Sequence, residues 1–484
     1  MLRLLKNRDV LIFILAIFIA ACIGWYTKEV EKSFVIIISL CGGVLIILSL
    51  FFNLKGYYLF LIAAIPISIN TGIVGGAQLN FPSEGLLLMI LPVLFVFNQD
   101  YRTTALRLVK HPLTILLIID LIVQFFTSIT GTHIDVSLKR VLIRFVFIAS
   151  FYVITSQLFN KRELIKPWVL YSVGLLPVIY FTFRNHIHHS FNPRVVFSIC
   201  QPYFNDHTIY GACLAFIIPI LIILVVKNKV FKFSYWSRWA LFILAFLVII
   251  SEILALSRAA ILSLIVAYLF SVLLRYKVAF KSILIGLGLS LVVVFSLWNS
   301  IYDSIKQNEA VSNDGEIVNH FSSVTNLKSD ASNLERINRW ICAVRMFEER
   351  PLLGYGPGTY QFEYNQFQTL SNKTYISTNM GDRGNAHSEY LTYLSETGII
   401  GIIIFILTVF SSIYYGMQNH YRLIDPVLRQ VNLGILLGLI TFYFHGVFNS
   451  FIDQSKMAFL YFSALGTIVW INQNLPSLIK EKSE

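Results

Sequence analysis

Long apolar runs dominate the chain and leave few folds open to it. A helix crossing the hydrocarbon layer needs about 20 largely apolar residues, and a bilayer admits only helices and closed barrels because other structures leave backbone polar groups unsatisfied. On that template the candidate spans are 10–26, 33–53, 57–73, 84–98, 112–131, 141–159, 167–183, 208–226, 238–255, 258–275, 281–300, 397–416, 430–448 and 456–472. Re-entry of 57–73 or 84–98 would lower the count by one or two. The chain is therefore predicted to be an all-α polytopic membrane protein with about 12–14 transmembrane helices.

Composition excludes the soluble alternative. Only 13% of the 484 residues are charged and 56% are hydrophobic, against roughly a quarter charged in soluble domains. The 40 Phe and 24 Tyr suit lipid-facing and interfacial surfaces. A net charge of +12 could indicate nucleic acid, but the cations lie in short segments between apolar runs, which is a topology signal. Reading the N-terminus as cytoplasmic puts Arg3, Lys55, Arg102, Lys161, Lys227, Arg275 and Arg422 on one side. The loops 184–207 and 301–388 then fall outside the cytoplasm, and both termini inside. Three regions follow: a helix array at 1–300, a large outer loop at 301–396 and C-terminal helices with a short tail at 397–484. The N-terminal run lacks a small-residue cleavage site and reads as the first span. Cys22, Cys41, Cys200, Cys213 and Cys342 have no CxxC or zinc spacing, and only a Cys200–Cys342 disulfide is conceivable.

The outer loop changes character midway. Residues 303–334 are polar and rich in Ser, Asn and Asp. Beyond them a helix is predicted over 334–349, capped by Asn333, with Ile337, Ile341, Val344 and Phe347 as its packing stripe. Pro351 ends it, and Gly354 and Gly356 supply a tight turn. A second helix is predicted from near Asn385 through Gly398 and Gly401 into the membrane.

This loop gathers the residues suited to chemistry. Arg336 and Arg339, three apart on a helix, can present two guanidiniums to a phosphate or diphosphate; a solvated helix face is the competing reading. Arg258 stands between two apolar runs, where a charge faces a cavity or a partner, with Ser257 and Glu252 as candidate partners, or else snorkels to the headgroups. His387 titrates near neutrality and can take a proton from a hydroxyl, although a histidine hydrogen-bonded at a helix start would look the same. Glu396 and Tyr390 are possible orienting partners for it. His207 and His445 lie near outer helix ends and either line the cavity or are satisfied polar groups. His186, His188 and His189 have no supporting carboxylate or cysteine pattern for a metal. Lys139, Arg140 and Arg144 sit on the outer side against the charge rule, as cations for an anionic ligand or as a sign of misplaced boundaries. No Walker, DxD, HExxH or GxSxG motif points to another site, and nothing indicates a nucleotide, metal or other cofactor.

The motifs "LSRAA" at 256–260, "RINRWICAVRMFEERPLLGYGPGTY" at 336–360 and "AHSEYLTYLSETGIIG" at 386–401 resemble the bacterial O-antigen ligase and O-antigen polymerase family. "FNDHTIYGACLAFIIP" and "FHGVFNSFID" add to the likeness, which is strongest over about 200–460. The resemblance implies a GT-C-like bundle in the bacterial inner membrane with its active region facing the periplasm. It implies a metal-independent, inverting glycosyltransferase that takes a glycan from undecaprenyl diphosphate among membrane lipids. A ligase passes the glycan to a lipid A core sugar, and a polymerase passes it to another lipid-linked glycan. It casts His387 as the base and Arg258 with Arg336 or Arg339 as the diphosphate clamp, with Trp340, Gly354 and Gly356 in support. Ala259 and Ser388 depart from the Gly and Asn that are common in the family. Ligation is the reading preferred, polymerisation the alternative within the family. A lipid-linked glycan flippase is the alternative of another class, disfavoured because the polar groups gather on one side.

Overall fold

The computed structural model describes residues 53–72, 78–97, 99–161, 163–297, 331–368 and 384–480. The expected spans 10–26 and, apart from its last residue, 33–53 lie outside them, as does the polar passage up to residue 330. Among the described residues the protein is helical apart from one two-stranded hairpin, and eight helices are long and apolar enough to cross a membrane. In chain order the helices are α1 (Leu54–Ile67), α2 (Ser83–Phe97), α3 (Gln99–Leu108), α4 (Pro112–Thr130), α5 (Ile134–Leu158), α6 (Lys166–His188) and α7 (His207–Val226). There follow α8 (Tyr235–Leu254), α9 (Arg258–Arg275), α10 (Phe280–Ser296), α11 (Ala331–Glu349), α12 (Glu389–Arg422), α13 (Pro426–His445) and α14 (Ser455–Lys480). This is an all-α polytopic membrane protein.

Two elements differ from the sequence reading. The stretch 57–73 is not one span: α1 stops at Ile67, just past Pro66, and Ile69–Gly72 pairs antiparallel with Gln78–Phe81. At 14 residues α1 is about 21 Å long, short of the hydrocarbon thickness. The span expected at 141–159 begins earlier, at Ile134, because Arg140 and Arg144 are matched by an acid and need no aqueous loop. The helix expected from near Asn385 begins at Glu389 and runs on through Gly398, held at φ +64° and ψ −162°, and Gly401 to Arg422, as the sequence reading has it.

Helix α7 is apolar on all sides and buried along nearly its whole length, as a central helix must be. It packs against α8, α9 and α13. At Gly211 a Cβ would stand 2.8 Å from Ser257 Cβ, so the absent side chain is what lets the start of α9 sit against α7. The first turn of α12 meets the end of α13, where Glu389 N–H donates to the Gly446 carbonyl at 2.7 Å. The starts of α7, α9 and α12 and the end of α13 thus share one end of the bundle, and α11 packs on α12 there.

Candidate functional site

Helix α11 rests on a small core of its own, formed by Cys342, Ala343, Met346, Tyr355, Tyr360 and Tyr364. This face is rotated from the expected stripe. Ile337 is buried, but Val344 is 39% exposed, and Glu335, Asn338 and Arg339 are buried instead. The reason is a matched pair: Arg339 Nε donates to Glu335 Oε1 at 2.9 Å, so the guanidinium can leave water. Arg339 Nη1 also donates to the Asn385 carbonyl at 3.3 Å, and its guanidinium lies 4.8 Å from the Tyr364 ring centre. Arg339 therefore ties α11 to the segment that carries His387.

His387 is held at both backbone ends. Its N–H donates to Asn385 Oδ1 at 2.9 Å, and its carbonyl accepts from Trp340 Nε1 at 3.3 Å. The residue adopts φ +47°, a left-handed conformation uncommon outside glycine. Burial, then the charges of Arg339 and Arg336, push its imidazole down to about 3, so the ring is neutral at neutral pH. The Arg336 charge also acts on His207 at the start of α7 and His445 at the end of α13. One half-buried guanidinium thus has three imidazoles, from three parts of the chain, within electrostatic reach.

The other expected partners do different work. Glu396 accepts from the backbone N–H groups of Gly358 at 2.8 Å and Tyr360 at 3.1 Å. Tyr390 donates to the Tyr443 carbonyl at 3.2 Å. Both carry structural bonds in place of an orienting bond to His387. Around Glu396 the glycine turn is stitched to α12: Tyr355 N–H donates to Ser395 O, Gly356 N–H to Glu396 O, and Ile399 N–H to Pro351 O. A Cβ on Gly354 would lie 2.5 Å from the Glu396 carbonyl carbon, which explains a glycine there.

Arg258 is the first residue of α9, exposed, with Ser257 at the N-cap. Glu252 does not pair with it. That carboxylate is buried, and neither of its oxygens has a hydrogen-bond partner among the described residues. Cys200 and Cys342 are both free and buried, so the conceivable disulfide is not formed. His186 stacks on Phe191 at 5.8 Å.

A second polar group was not anticipated. Asp453 receives Arg144 Nε at 2.9 Å and Arg140 Nη1 at 3.0 Å, and Asp120 lies 3.6 Å from Arg144. Arg144 donates to Tyr393 as well. Burial alone would raise the Asp453 carboxyl, but Arg144 and Arg140 hold it below the usual carboxylate range. Arg140 and Arg144 are therefore taken by an acid of the chain. Glu389 completes the group by accepting from the backbone N–H groups of Phe451 and Ile452. A polar recess lies between them, lined by Gln124, Arg140, Arg144, Glu389, Tyr393 and Asp453. The available signal was the acid in "NSFID", opposite in charge to those unexplained cations.

Comparison with curated proteins gives no match. A family comparison gives one over the region that carries Arg258, α11, the glycine turn and His387. Residues 243–406 match the family model described as O-antigen ligase, so this segment is similar to the O-antigen ligase and polymerase family.

Proposed function

We propose that the protein is a ligase-type glycosyltransferase that moves a glycan from undecaprenyl diphosphate to an acceptor hydroxyl on a lipid A core sugar, at the periplasmic face of the bacterial inner membrane. The observation that carries the reading is a buried, neutral imidazole, His387, tied through its backbone to Trp340 and Asn385 and within electrostatic reach of Arg339 and Arg336, inside the matched O-antigen ligase segment. The strained φ of His387 adds weight, because strain of this kind clusters at functional sites.

In this mechanism the acceptor oxygen attacks the anomeric carbon and His387 takes the hydroxyl proton. The bond from that carbon to the diphosphate oxygen breaks, and the electron pair leaves on the diphosphate. Attack opposite the leaving group inverts the anomeric centre. Arg336 neutralises the leaving charge, assisted by Arg258 at the positive end of the α9 dipole. The donor already carries its activation, so no nucleotide is needed, and the arginines supply the charge neutralisation that a metal would otherwise bring. Arg339, committed to Glu335 and Asn385, places the His387 segment and lends its charge. Trp340 fixes the His387 carbonyl, and the glycine turn with Glu396 fixes the start of α12.

Deletion and complementation test the acceptor. A strain lacking the protein should retain long lipid-linked chains and lose glycan on lipid A. Accumulation of single repeat units instead would reassign the protein as a polymerase.

A further inference from the structure

Among the buried imidazole nitrogens that have no hydrogen-bond partner among the described residues are His445 Nε2 and His207 Nδ1. For His445 the surroundings set the tautomer. Asn449 Nδ2 approaches His445 Nδ1 at 3.4 Å as a donor, so Nδ1 accepts and the neutral ring carries its proton on Nε2. The residue is 2% exposed and its ring packs against Phe451. A buried donor left without an acceptor is costly, and such a group in a native site calls for an explanation.

The neighbourhood indicates what the acceptor is. Arg336 acts on both rings, and a guanidinium with N–H donors around it is a site for anionic oxygen. His207 opens α7, whose first-turn N–H groups and dipole favour the same charge. The nearby Asp206 carboxylate is occupied, accepting from the backbone N–H groups of Thr208 and Ile209 and from the Thr208 hydroxyl.

We propose that His445, together with His207, donates a hydrogen bond to a phosphate oxygen of the donor's diphosphate beside Arg336. The two histidines are then donor-binding residues, lying outside the matched segment 243–406, that recognise the anion rather than the sugar. This rests on the functional reading above. The step is binding only: no bond is made or broken, and no proton leaves His445.

The test uses the full chain in phosphatidylcholine nanodiscs, with undecaprenyl diphosphate as the probe and its Kd measured directly. His445→Leu, which removes the N–H, should raise Kd at least about tenfold, the loss typical of a hydrogen bond to a charged group. His445→Gln, whose amide nitrogen can stand where Nε2 stands, should stay within about threefold of wild type. Wild-type affinity in both His445 variants would overturn the assignment, and so would equal loss in both with an unchanged Tm. If the wild-type protein does not bind the probe, the functional reading itself fails. Repeating the titration in phosphatidylglycerol separates the two sources of phosphate. Competition by that lipid in wild type, absent in His445→Leu, would give the pocket to a phospholipid headgroup and overturn the diphosphate assignment.

Discussion

The pH dependence of transfer follows from the charge around His387. In the free protein its imidazole is pushed from the ordinary 6.5 to about 3, by burial first and then by Arg339 and Arg336. The neutral ring is the active base, so activity is present above the pKa and lost as pH falls through it. At pH 5 an ordinary imidazole is only about 3% neutral, whereas one titrating near 3 is about 99% neutral, a roughly thirtyfold difference in active base. The kcat/KM profile reports the free enzyme and should be flat from pH 8 to 5, with no histidine inflection. A bound diphosphate offsets the arginine charges, and a charge at contact range is worth about 1–3 pKa units. The kcat profile, which reports the loaded enzyme, should therefore show its acid limb about 1–3 units higher. His387 then becomes a stronger base only once the donor is in place. The assay is initial-rate transfer from a defined polyprenyl-diphosphate glycan by protein in nanodiscs, with wild type and Arg336→Gln compared. Arg336→Gln should move the kcat/KM limb upward by about one unit. A wild-type limb between pH 6 and 7, unmoved by that substitution, would refute the reasoning.

Two further outcomes separate placement from binding. Gly398→Ala should destabilise the protein by at least about 1–3 kcal/mol, because φ +64° with ψ −162° is a glycine conformation and the added Cβ would meet the Leu352 backbone; an unchanged Tm would count against it. Arg339→Lys keeps the charge but loses the planar contacts to Glu335, the Asn385 carbonyl and Tyr364. It should lower Tm more than it raises the donor KM, whereas Arg336→Lys should do the reverse, and the opposite ranking would exchange the two roles.

Much of the fold was legible because membrane helices announce themselves by length and apolarity, as α4 and α7 do. The start of α5 was not, since Lys139 and Arg140 read as lying before the span at 141–159 until the fold brings Asp453 to Arg140. The rotated face of α11 has the same cause: Arg339 can be buried only because Glu335 lies one turn away. Within the candidate site, His387 and the loop arginines stood out through local motifs. The approach of His207 and His445 to Arg336 is a long-range packing outcome, and sequence placed each only near an outer helix end. Roles assigned from residue type also changed hands, with Glu396 serving the glycine turn and Tyr390 a backbone carbonyl.

The most direct test of the account is a single-turnover transfer assay with purified protein, undecaprenyl-diphosphate-linked glycan and lipid A core acceptor, comparing wild type with His387→Ala. The account predicts an inverted glycosidic product from wild type, and none from the variant despite normal accumulation in the membrane and normal diphosphate binding. Transfer by His387→Ala at the wild-type rate would contradict it.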